Sequence, residues 1–299
     1  MTIFFKLLSF LFCLFFAHAI IAQKQAYTKP KPKTATHQDI FNQKMQMPRP
    51  LSMAEGVVAV GKSFIGNPYP KSNVETSGKT PDGQVVLQPI SKEVLVINLK
   101  KFECVTFVES MFSLTETQMN RTPTYNIFKN NIAHIRYRKG VIDYAARLHY
   151  FSDWLFENEK RGILTNITKE IGGEIYNKDV FYMSYKRDTF YGNMADPRTF
   201  NAIKNIEENI TKREKWYIPK EKVADIESQL KEGDIIGITN VMDGMDMAHT
   251  GLVTWQNGRA YMLHASSQFR QVIITDVPLV DYLLRNKGQS GIMVGRLKG

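Results

Sequence analysis

Thiols are almost absent from this chain: its 299 residues hold two cysteines, Cys13 and Cys104. Cys13 falls inside an apolar leader, so a chain that loses the leader keeps one thiol and can form no internal disulfide. Histidine is sparse too, at six residues, and the acidic side chains are scattered. No grouping has the spacing of a zinc-ligand set, which argues against zinc-based chemistry, and neither a metal nor a cofactor is expected. The one continuous apolar run, residues 7–16, is too short for a comfortable membrane span. Internal repeats are missing. Basic residues outnumber acidic ones by 39 to 29, a net charge of +10, yet they form no stripe interleaved with aromatics. Nucleic-acid binding therefore lacks support, and the basic excess suits an anionic wall or membrane surface.

What is present begins with targeting. Lys6 precedes the apolar run, and Ala17, Ala19 and Ala22 supply small residues after it. That is the layout of a secretory signal peptide over residues 1–22, with an uncleaved anchor as the alternative. Cys13 lacks the small residues that precede a lipidated cysteine, which discounts a lipoprotein. The chain is thus expected to be exported, to the periplasm or beyond the cell, with no stable membrane span after cleavage. Residues 23–35, with Lys29-Pro-Lys-Pro-Lys33, read as a solvated linker. Residues 36–299 then form a single domain, consistent with a chain that is 43% hydrophobic and 11% aromatic.

Along that domain, Ser52-Met-Ala-Glu55 is a capping box that opens a helix to about Ile65, and Gly66-Asn-Pro-Tyr69 breaks it. Val85-Val-Leu87 and Leu95-Val-Ile97 read as short strands or extended segments. Cys104 opens a largely buried helix through Val105, Phe107, Val108, Met111, Phe112 and Leu114. Residues 122–217 read as a mostly helical insertion. It has an aromatic helix or helical turn over 143–156 and a second helix from Asp196-Pro197. The last eighty residues alternate short apolar segments with turns, and Asn257-Gly258 signals a hairpin between two of them. Helices first and an antiparallel meander last give the α+β class.

A thiol at a helix N-terminus lies beside unpaired N–H groups and the positive end of the helix dipole, and both favour the thiolate. A buried free cysteine acting as a small hydrophobe is the plain alternative. His249 and His264 fall on adjacent strands across the hairpin, close enough for one imidazole to hold the other's tautomer. Each could equally be a satisfied strand-end or core histidine. Taken together, nucleophile, base and orienting group make a cysteine hydrolase with Cys104, His249 and His264 as its catalytic residues.

Phe-Glu-Cys104-Val-Thr-Phe-Val, Ala-His249-Thr-Gly-Leu-Val and Leu-His264-Ala-Ser resemble the motifs of NlpC-type cell-wall hydrolases, a papain-like superfamily. Gly233-Asp234 resembles the Gly-Asp strand before the histidine, and Gly66-Asn-Pro-Tyr69 the Pro-Tyr loop that faces the nucleophile. Glu93-Val-Leu-Val-Ile-Asn-Leu, Cys104-Val-Thr-Phe-Val-Glu109 and Arg147-Leu-His-Tyr-Phe-Ser-Asp-Trp154 look like its N-acetylmuramoyl-L-alanine amidase-like branch. Glu103 stands where the superfamily has Asp. The resemblance implies a papain-like core, with the cysteine helix packed on an antiparallel sheet. It implies an amidase that cuts peptidoglycan or muropeptides between N-acetylmuramic acid and L-alanine, without a metal. Tyr69, Glu93, Thr106, Ser152, Asp153 and Trp154 are the candidates for substrate binding, the last three having an aromatic packing joint as their alternative. A γ-D-glutamyl-diamino acid endopeptidase and a non-catalytic wall-binding module are the competing functions.

Overall fold

The computed structural model describes residues 35–70 and 93–299, together with the backbone of residues 78–79 and 85–86. The expected leader, most of the linker, and Leu87 lie outside the described residues. The helices are α1 His37–Met45, α2 Met53–Lys62, α3 Cys104–Met119, α4 Tyr125–Arg136, α5 Phe151–Lys160, α6 Tyr182–Tyr185, α7 Arg187–Phe190, α8 Pro197–Lys212, α9 Val223–Ile226 and α10 Leu279–Arg285. The strands are β1 Gly78–Lys79, β2 Val85–Val86, β3 Leu164–Asn166, β4 Glu174–Ile175, β5 Trp216–Pro219, β6 Ile235–Asn240, β7 Met247–Gln256, β8 Arg259–Ser266, β9 Gln271–Ile274 and β10 Gln289–Leu297. No described helix is long and apolar enough to cross a membrane.

Local chemistry explains the main boundaries. Ser52 accepts the Glu55 N–H at 3.2 Å and Glu55 accepts the Leu51 N–H at 3.1 Å, which starts α2 as a reciprocal cap. Asp196 caps α8 through the Thr199 N–H at 3.1 Å, with Pro197 in the first turn. Asn257 and Gly258 have φ of 50° and 76°, the left-handed pair of a two-residue hairpin, so β7 turns straight into β8.

Strands β6 to β9 form the expected antiparallel meander, but β10 crosses back over α10 and pairs with β6 on its far side. The region 122–217 is not only helical, because its β3 and β5 both pair with β10 and extend the sheet. Residues 95–97 are extended but pair with no strand, and the helix expected over 143–156 begins only at Phe151. On one side of the sheet, Leu263 packs towards Gly61 of α2 and Phe107 of α3. Its neighbour Met262 joins Val253, Ile236, Leu279 and Leu283 in the core under α10. That alternation is the period-two pattern of a strand buried on both faces.

The helical region has a core of its own around Tyr144, Tyr150, Met183, Met194, Ile203 and Ile210. Asp153 ties it together. Its carboxylate receives Arg138 Nη2 at 2.6 Å and Arg213 Nη1 at 3.1 Å, with its side chain 2% exposed. Removing it would take the carboxylate from Arg213 and leave Arg138 with Glu157 alone, at 3.0 Å, in a partly buried place. Asp153→Ala is expected to lower stability by about 3 kcal/mol, read as a drop in the urea midpoint. A raised KM with an unchanged midpoint would instead make Asp153 a substrate ligand.

Candidate active site

The segment before Cys104 is fixed by short-range bonds. Asn98 Oδ1 accepts the N–H groups of Lys100 and Lys101, at 2.9 and 3.0 Å. Asn67 then donates to the Leu99 carbonyl at 3.3 Å, and Pro68 accepts the Phe102 N–H at 3.1 Å. Glu103 is the N-cap of α3, and its N–H donates to Thr106 Oγ1 at 3.0 Å. Cys104 is therefore the first residue of a helix whose entry angle is set from both sides. Phe64, Phe102 and Phe107 pack edge to face beneath it, with centroids 5.0 and 5.8 Å apart.

Cys104 is half-buried, and the backbone N–H of Thr250 on β7 reaches its sulfur. Burial is the largest influence on this thiol. It outweighs that N–H and those of Val105 and Cys104 itself, pushing the pKa up to about 11. The sequence argument that the helix end favours the thiolate is thus overridden in the resting protein. Desolvation costs a small, dense anion more than a few N–H dipoles return.

Next to Thr250 stands His249. Its Nε2 lies 2.5 Å from His264 Nδ1, with ring centroids 4.8 Å apart and planes at 84°. The bond to His264 thus uses Nε2 and leaves Nδ1 as the other ring nitrogen of His249. Burial lowers the His249 pKa to about 4, and burial, with the neighbouring His249, holds that of His264 well below the usual histidine value. Both rings are neutral at pH 7.

Gly251 makes this pairing possible. The register of β7 and β8 pairs Leu252 with Leu263, so Gly251 falls opposite His264, and His249 is its diagonal neighbour. A Cβ on Gly251 would sit 2.6 Å from Met262 Cγ and 2.9 Å from His264 Cβ. The glycine of the Ala-His-Thr-Gly motif clears the space into which His264 leans. At the other end of the loop into β7, Asp246 accepts the N–H groups of Ser152 and Met247 at 2.8 and 2.7 Å. Tyr176 donates to its carbonyl at 3.0 Å.

A cavity of about 570 Å³ runs along the start of α3, where Glu103, Val105, Thr106 and Ser110 line it. Glu93, Arg147, His149 and Asn193 face them. Glu93 binds Arg147 through two bonds of 3.0 and 2.8 Å and accepts the Tyr137 hydroxyl at 2.7 Å. Arg136 pairs with Glu109 at 2.7 Å and donates to the Val96 carbonyl at 2.6 Å.

Of the residues expected to bind substrate, Glu93 and Thr106 are on this cavity. Tyr69 is nearby, 9% exposed, in the loop pinned to Phe102, with Arg270 stacked 5.2 Å from its ring. Ser152, Asp153 and Trp154 are inside the helical region instead. Ser152 holds Asp246, and Trp154 is fully buried, stacked on Phe151 at 4.8 Å. This corrects the expectation for all three, in favour of the packing alternative. The same motif's front end, Arg147 to His149, is what reaches the cavity. Arg147 was the available signal, as a charge at the head of an otherwise aromatic run.

The profile of the N-acetylmuramoyl-L-alanine amidase-like family matches residues 59–292. The chain belongs to that family. An N-acetylmuramoyl-L-alanine amidase from Bacteroides uniformis superposes with a TM-score of 0.73 at 30% identity, covering 83% of this chain and 99% of the other. A Bacteroides fragilis protein with a provisional xylanase name gives 0.71 at 28% identity, over 80% of this chain and all of the other. A Legionella pneumophila protein shares the fold at a TM-score of 0.60 and 22% identity, covering 88% and 94%. No curated protein matches the chain.

Within this amidase-like site, Gly251→Ala is expected to push β7 and β8 apart. The overpacking costs about 1–3 kcal/mol and lengthens the contact between the imidazoles. A lowered urea midpoint and a displaced His264 in a crystal structure of the variant are the readouts. An unchanged midpoint would mean the strand pair has slack at this point.

Proposed function

We propose that the chain is a peptidoglycan hydrolase of the papain-like, NlpC type, a cysteine-dependent amidase that cuts between N-acetylmuramic acid and L-alanine. The observation that carries this reading is a thiol touched by the Thr250 backbone, one residue from an imidazole, His249, paired with a second imidazole, His264. Family membership supports the bond and the substrate class. With residues 1–22 read as a cleaved leader, the enzyme works in the periplasm or outside the cell.

The chemistry follows from the neutral resting state. As substrate enters the cavity beside α3, Cys104 Sγ attacks the lactyl carbonyl while His249 Nδ1 takes its proton. The developing oxyanion is met by the Cys104 N–H at the helix N-terminus. His249 is now an imidazolium, and His264 Nδ1 accepts its Nε2–H, which stabilises the charge that burial otherwise opposes. His249 then gives its Nδ1 proton to the departing alanine amine, leaving a thioester. Water activated by the same nitrogen hydrolyses that thioester and restores the thiol. No carboxylate takes part in the relay; the orienting group is neutral throughout, as an asparagine would be.

Mass spectrometry of disaccharide-peptides incubated with the protein tests the reading. A free disaccharide and a peptide beginning at L-alanine are expected, and Cys104→Ala is expected to abolish both. Release of a disaccharide-dipeptide would replace the amidase with the endopeptidase, and no cleavage at all would favour a wall-binding module.

The resting state has its own test. The alkylation rate of Cys104 by iodoacetamide is expected to rise with pH towards about 11, without a plateau near neutrality. A plateau between roughly pH 5 and 8 would reveal a preformed thiolate–imidazolium pair and sink the neutral mechanism.

A further inference from the structure

A histidine as third member of such a triad has a weakness that asparagine lacks, because it has two neutral tautomers and a protonated form. Only the neutral tautomer with its proton on Nε2 leaves Nδ1 able to accept from His249. With the proton on Nδ1, His264 would donate to His249 Nε2, and His249 Nδ1 would already hold a hydrogen. It could then take nothing from the thiol. Protonated His264 fails for the same reason. The fold must therefore choose one of three states.

His264 is 1% exposed, and its Nε2 has no hydrogen-bond partner among the described residues. The ring of Tyr282, on α10, packs 5.8 Å from the imidazole with the planes at 67°. That is an edge-to-face arrangement, in which a ring N–H can rest on π density rather than on a lone pair. Tyr282 cannot drift. Leu279, Val280 and Leu283 root α10 in the core, and the Tyr282 hydroxyl bonds the Gln289 side chain on β10. The ionisable groups around this point are His249 on β7, Cys104 on α3 and Tyr282 itself, with Asp276 acting on Tyr282 from the β9–α10 turn.

We propose that Tyr282 is a positioning residue for the catalytic histidines: its ring seals the Nε2 side of His264 from water, keeping that imidazole neutral with Nδ1 presented to His249. The inference rests on the triad reading above and concerns a residue on α10 that acts through His264. The hydroxyl is secondary, since its bond to Gln289 only steadies the ring.

The test compares Tyr282→Leu with Tyr282→Phe by nitrogen NMR of histidine-labelled protein and by kinetics on soluble disaccharide-peptides. In the wild type, His264 is expected to carry its proton on Nε2 and not to titrate across the usual histidine range. In the leucine variant, His264 becomes a mixture of tautomers that titrates nearer the usual histidine range. Its kcat falls roughly 10- to 100-fold with KM little changed, the size of effect seen when a group orienting a functional residue is lost. The acid limb of its kcat profile moves to higher pH. The phenylalanine variant recovers most of the rate and the single tautomer. Tyr282→Met stands in if the leucine variant does not fold. A leucine variant with unchanged tautomer and rate would overturn the proposal, and so would a phenylalanine variant as impaired as the leucine one. The NMR readout needs no substrate. Inactivity of the wild type on every fragment would therefore count against the amidase reading and leave the tautomer result standing.

Discussion

Between His249 Nε2 and His264 Nδ1 there are 2.5 Å, and His264 is buried. Much of the nearby structure exists to keep that distance. The two residues are diagonal, not opposite, on β7 and β8, so the strands must let one ring lean across. Gly251 permits this because it has no Cβ to meet His264. The start of β7 is irregular as well, since the register against β6 shifts between Ile238 and Thr239. Asp246, buried and bonded to Ser152 across ninety-four positions of sequence, fixes the loop from which β7 emerges. A bulge next to a site re-aims a side chain, and here it is anchored by a buried carboxylate at the first turn of α5.

The electrostatics follow from the same burial. Helix dipole and backbone N–H groups pull the thiol towards its anion, while desolvation pushes the other way and wins. The two imidazoles are likewise kept from their cations. A carboxylate as third member would have reversed this balance and drawn His249 towards a permanent positive charge. A neutral partner leaves the charge to develop only when substrate arrives. Stabilisation reserved for the transition state raises kcat, whereas a preformed ion pair stabilises the ground state as well.

Patterns with a short range were legible in the sequence. The Ser52 and Asp196 caps, the Asn257-Gly258 turn and the buried face of α3 each depend on residues within a few positions of one another. Cys104, His249 and His264 stood out as candidates because their residue types are rare in this chain. What could not be read was pairing at a distance. Nothing local tells β10 to cross α10 and join β6, nor β3 and β5 to leave a helical region for the sheet. Ser152, Asp153 and Trp154 were misread because a polar pair beside a tryptophan looks alike in a groove and in a core. Only the arrival of Arg138, Arg213 and Phe151 decides between them. Tyr282 gave no signal at all, being one tyrosine among thirteen.

The cavity wall shows why distance matters for chemistry as well as for fold. Glu93 is forty-four positions from Tyr137 and fifty-four from Arg147, and Glu109 is twenty-seven from Arg136. In the structure each guanidinium already has a carboxylate at hydrogen-bonding distance, and Arg136 also has the Val96 carbonyl. An anion entering the cavity would have to compete with a partner that is in place and desolvated, so these arginines offer it little. Their work is to hold the residues 93–98 against α3 and to give the wall a fixed shape.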